Sequence, residues 1–63
     1  MGYEFVVYVD KAGEWRWLFR AVGNSKTIAD SGEGYKDKRD CLYGISLIKR
    51  FAPGAPVVDG VLR

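Results

Sequence analysis

One stretch of this chain is built as a helix, and everything before it is built as strand. The stretch Gly34 to Arg50, continued to Ala52, places Cys41, Gly44, Ile45, Ile48 and Ala52 on one face at about 100° per residue, with Leu42 and Phe51 on the flanks. Tyr43 and Leu47 fall on the opposite side. Asp37 is suited to the N-cap, where its carboxylate accepts orphan amide hydrogen bonds of the first turn. Asp40, three residues on, has capping-box spacing. Lys49 and Arg50 match the negative end of the helix dipole, and Pro53-Gly54 then stops the helix. Gly44 costs about 1 kcal/mol against Ala inside a helix. Its place on the apolar face predicts close approach to a strand. A single amphipathic helix has to lie on something flat.

The flat partner precedes it. Tyr3 to Val9 is rich in β-branched and aromatic residues, with Tyr3, Phe5, Val7 and Val9 on one face. Asp10 to Glu14 is a polar break, and Gly13 suits a hairpin loop closed in the left-handed conformation. Trp15 to Val22 alternates cleanly, with Trp15, Trp17, Phe19 and Ala21 on one face and Arg16, Leu18, Arg20 and Val22 on the other. Gly23 to Lys26 is a second turn, and Thr27 to Ser31 a short third strand. Gly32-Glu33-Gly34 leads to the helix. After it, Pro53 and Pro56 stiffen a linker that carries Val57 and Val58, the start of a short strand, away from their own helix. Such an apolar tail frays unless something holds it.

Size limits how such elements are stabilised. A chain of 63 residues buries only about 60% of its unfolded surface and needs support from disulfides, metal or association. With one Cys and no His, an intrachain disulfide is excluded and a zinc site lacks its ordinary ligands. Association remains, and 48% hydrophobic residues supply surface for it. Val57, Val58, Val61 and Leu62 are the expected interface of a homodimer. The free Cys fits a reducing cytoplasm, and neither a membrane span nor a signal peptide is visible.

The run Asp10-Lys11-Ala12-Gly13-Glu14-Trp15-Arg16-Trp17 resembles the D-x-x-G-E-[aromatic]-R-[aromatic] hairpin of the YegP-like domains. Gly32 to Lys38 resembles their E-G-Y-x-S-K approach to the helix, and Gly44-Ile45 their helix-centre G-I. Asp37 stands where the family has Ser, Tyr43 where it has Asn, and the tail is longer and richer in proline. The resemblance, running from about Phe5 to Ala52, implies a β-β-β-α-β unit that shares a sheet with a second unit and exchanges C-terminal strands with it. The family is one of domains of unknown function, so the match implies architecture rather than activity. The Val57-Val58-Asp59 element is similar to the exchanged strand.

Candidate chemistry is sparse. Cys41 sits near a helix N-terminus, where thiol pKa values fall, but it has no His base and lies on the apolar face, which favours a core role. Gly32-Glu33-Gly34 is a turn rather than a phosphate cradle, since Asp37 would repel phosphate. Glu33, Asp37 and Asp40 match no calcium loop. Trp15 and Trp17 are either core or an exposed stacking platform, and Phe19 and Ala21 on the same face favour core. Lys36, Lys38 and Arg39 crowd the helix N-terminus and, with Arg16 and Arg20, are the candidate anion-binding set.

The expectation is therefore an α+β fold. It has a three-stranded antiparallel meander, one helix across a face and a C-terminal strand in a strand-swapped homodimer. Residues 1–63 form one domain, with a core at 3–52 and an exchanged tail at 53–63. The expected function is a cytoplasmic, non-catalytic interaction or assembly module with no cofactor, metal or membrane partner. Its partner is itself, with room for an unidentified second protein. The alternative is weak nucleic-acid or other anion binding, by analogy with three-stranded sheets that read DNA grooves. A net charge of +2 permits that without demanding it.

Overall fold

The strand periodicity is realised as three antiparallel strands in a computed structural model that describes residues 2–60. β1 (Tyr3–Val9), β2 (Trp15–Ala21) and β3 (Thr27–Asp30) form one sheet in the order β1-β2-β3. The first hairpin is in full register, from Tyr3 opposite Ala21 to Val9 opposite Trp15. Asp10 builds its loop. The Oδ1 atom accepts the backbone N–H groups of Ala12 and Glu14 at 2.9 and 3.0 Å, and Gly13 adopts φ 83°, open to glycine at no steric cost. The β2–β3 pairing shifts register between Phe19 and Arg20. β3 ends one residue before the sequence predicts. Ser31 still donates its N–H to the Trp17 carbonyl at 2.9 Å, while its hydroxyl bonds to the Glu33 carbonyl.

The helix α1 spans Lys38–Phe51, starting directly after the expected cap. Asp37 is its N-cap, accepting the Arg39 N–H at 2.8 Å. The Asp40 N–H reaches the Asp37 carbonyl at 3.1 Å, so cap chemistry at this end runs through Asp37 alone. Before it, Tyr35 is extended and bridges β2: the Trp15 N–H donates to the Tyr35 carbonyl at 2.7 Å and the Tyr35 N–H to the Trp15 carbonyl at 2.8 Å. This docking needs Gly34. A Cβ there would sit 2.8 Å from the Glu14 Cβ and clash with that residue's carboxylate. A 3₁₀ turn (Ala52–Gly54) follows the helix, so the chain beyond Phe51 tightens before Ala55 to Gly60 runs on without regular structure.

Helix and sheet meet at Trp17, Cys41 and Ile45, the buried residues of the core, with Phe5, Val7, Trp15, Phe19 and Tyr35 packed around them. Aromatic pairs knit the sheet side. Phe5 meets Trp17 edge-on at 5.4 Å between centroids and Phe19 at 4.8 Å. Gly44 lies against this cluster as expected from the sequence, because a Cβ there would be 3.2 Å from Tyr35 Oη and 3.7 Å from Trp17 Nε1. Ile48 and Ala52 depart from expectation. They share the helix face of Cys41 and Ile45, yet Ile48 is 42% exposed and Ala52 is exposed too. The helix is seated at its N-terminal half, where the Tyr35 bridge pins it to β2, and its C-terminal half stands off the sheet.

Candidate functional site

The candidate cations do not assemble into one patch. Arg16 and Arg20 alternate with Trp17 and Phe19 along β2, so they lie on the sheet face away from the helix. Each already holds a carboxylate. Arg16 Nε donates to Asp10 Oδ2 at 2.6 Å, and Arg20 Nε to Glu4 Oε2 at 2.9 Å, directly across the β1–β2 ladder. Arg39 folds back on the N-cap, its Nη2 2.8 Å from Asp37 Oδ2. Lys38 places its Nζ 5.1 Å from the centroid of the Trp15 ring, and Lys36 is exposed with no ion pair among the described residues. These pairings dominate the electrostatics. The Arg16 guanidinium, helped by the loop amides, holds the Asp10 carboxyl below its usual range, and Arg39 does the same for Asp37. Both arginines are in turn held more firmly protonated.

Cys41 belongs to the core. It is fully buried beside Trp17 and Ile45, and desolvation pushes its thiol pKa up, the opposite of what a nucleophile needs. The tryptophans divide. Trp17 is buried and its Nε1 has no hydrogen-bond partner among the described residues, whereas Trp15 is half-buried under Lys38. Burial likewise raises the Tyr35 hydroxyl pKa. Among the described residues, no three Cys, Asp or Glu side chains converge as a metal site, and no helix is long and apolar enough to cross a membrane.

Two features of the apolar surface stand out. Where the helix lifts away, Phe5, Trp17, Phe19, Ala29, Ile48 and Ala52 line an open groove of about 450 Å³. The sequence placed Ile48 and Ala52 on the apolar face, but helix periodicity says which residues share a face and not whether the face is covered along its length. The second feature is the tail. Val57 is 100% exposed and Val58 81% exposed, and Ala55 to Gly60 adds no strand to its own sheet. Among the described residues no strand follows the 3₁₀ turn, where Pro56 stiffens the tail. The interface residues Val61 and Leu62 lie outside the described residues.

Comparison with known proteins follows this architecture closely. Residues 10–59 match the profile of the domain of unknown function DUF1508. A UPF0339 protein of Agrobacterium fabrum is 47% identical over 57 residues, covering 90% of this chain and 89% of that one. A UPF0339 protein of Treponema denticola is 41% identical over 59 residues, covering 94% and 98% of the two chains. The solution structure of a protein from Haloferax volcanii superposes with a TM-score of 0.84 at 41% identity, covering 92% of this chain and 95% of that one. That of an Agrobacterium tumefaciens protein does so with a TM-score of 0.75 at 46% identity, covering 92% and 90%. The hairpin and helix-approach motifs read from the residues lie within the matched region, and the chain belongs to the DUF1508 family of UPF0339 proteins, the YegP-like small domains of unknown function.

Proposed function

We propose that this chain is a non-catalytic interaction module of the cytoplasm that works as a homodimer, each protomer donating its C-terminal tail to the other. The observation that carries the reading is the tail itself. Two valines, 100% and 81% exposed, follow the turn that ends the helix, while β1 and β3 each keep one edge unpaired by the sheet. Such edges invite a further strand. A donated strand would set Val57 and Val58 on opposite sheet faces, one of them on the side of the open groove. The physical need is a small core: the described residues bury only Trp17, Cys41 and Ile45, and association stabilises a fold by mass action.

Size-exclusion chromatography with light scattering tests this. The intact chain is expected to elute as a dimer at micromolar concentration, and a variant ending at Pro53 as a monomer. An intact chain that stays monomeric would overturn the proposal.

A further inference from the structure

The helix carries a second apolar surface that its own fold never uses. Tyr43, Leu47 and Phe51 recur every four residues, which stacks them in a ridge about 12 Å long. They are 63%, 38% and 58% exposed; Tyr43 and Leu47 lie on the side of the helix away from Cys41 and Ile45, and Phe51 on the flank between. An aromatic–leucine–aromatic ridge left this exposed is costly in water.

Charge identifies the occupant. The helix is acidic at its start, with Asp37 at the cap and Asp40 in the first turn, and basic at its end, with Lys49 and Arg50. Two such helices side by side in parallel would oppose like charges and align their dipoles. Antiparallel, each acidic start meets a basic end. We infer that the ridge is a homotypic contact: Tyr43 and Leu47 pack antiparallel against the same pair of a second copy. A two-fold axis passing the helix at the level of Ile45 sets Tyr43 beside the partner subunit's Leu47 and Asp40 beside the partner subunit's Arg50, each pair occurring twice. Arg50 already reaches over the Phe51 ring at 5.2 Å, and Asp40 joins no ion pair among the described residues. This contact rests on the dimer proposed above and supplies the part of the interface that the tail does not. A standard interface takes about 800 Å² per partner.

The test is the dimer dissociation constant, from sedimentation equilibrium on the full chain, with circular dichroism as the folding control. Leu47→Asp is expected to weaken the dimer at least tenfold with the tail intact, because it opposes charge to an apolar partner. Arg50→Asp is expected to weaken it several-fold, and Asp40→Arg added to it to restore the original value. The two positions lie ten residues apart on one helix, about 15 Å, so rescue reports contact between chains rather than within one. If Leu47→Asp fails to fold, the charge exchange decides alone. A dimer whose constant ignores Leu47→Asp, or a charge exchange without rescue, overturns the ridge while leaving the tail-exchanged dimer standing. A monomeric wild-type chain overturns both.

Discussion

The contact most open to quantitative challenge is the one at Gly44. Two substitutions there share nearly the same helix propensity, since Ala and Leu both gain about 0.8–1.0 kcal/mol over Gly in a helix interior. Their difference therefore isolates packing. The Cβ of Ala would meet Tyr35 Oη at 3.2 Å and Trp17 Nε1 at 3.7 Å, a fit that a slight shift of the hydroxyl allows. Gly44→Ala should be close to neutral, propensity offsetting the tight contact. Leu adds three more carbons where Tyr35 and Trp17 already stand, and overpacking of this kind costs about 1–3 kcal/mol. Relief requires lifting the helix from the buried Cys41–Ile45–Trp17 core. Gly44→Leu should thus melt below Gly44→Ala by roughly 4 °C at least, given about 4–8 °C per kcal/mol for a domain of this size. Ser46→Ala is the exposed control and should be near neutral, its hydroxyl bonding only to the Tyr43 carbonyl. Thermal melts at matched protein concentration suffice, because association shifts Tm. If the Ala and Leu variants melt together, Gly44 does not face Tyr35 and Trp17.

Gly34→Ala should destabilise by about 1–3 kcal/mol, because a Cβ 2.8 Å from the Glu14 Cβ forces the Tyr35 bridge off β2; an unchanged denaturant midpoint would refute the close approach. The pairing of Asp10 with Arg16 gives stability an acid limb. The carboxyl titrates lower in the fold than in the unfolded chain, so in that window the unfolded chain binds more protons and stability rises with pH. The contribution is complete above the ordinary Asp value of about 4 and is lost as pH falls through the lowered one, and Asp10→Asn should flatten melts in that acid range while leaving their slope at neutral pH unchanged. Duplex DNA binding by Lys36, Lys38, Arg39, Arg16 and Arg20 should be weak and sequence-blind at physiological salt, since three of the five cations hold carboxylates and they divide between two places. Submicromolar anisotropy binding, lost in a folded Lys36→Ala, Lys38→Ala, Arg39→Ala variant, would reverse that ranking.

What the sequence determined by itself is whatever depends on neighbours along the chain. The three strands, the Gly13 turn, the Asp37 cap and the Cys41–Ile45 face follow from alternation, capping chemistry and helical period, all local properties. Tertiary structure decided how far those elements touch. Ile48 and Ala52 share a face with Ile45 but not its burial, because the Tyr35 bridge pins only one end of the helix to β2, and no helical period carries that information. The cations read as one set in sequence, yet strand alternation turns Arg16 and Arg20 to the far side, and register across the ladder places Glu4 opposite Arg20. Gly34 is a turn residue in sequence and a close approach to Glu14 in space. Contacts between residues far apart in the chain depend on register and seating, which a sequence pattern constrains only to a choice of face. The tail marks the far end of that scale. Its apolar residues are plain in the sequence, while their exposure, 100% at Val57 and 81% at Val58, is decided by the structure alone.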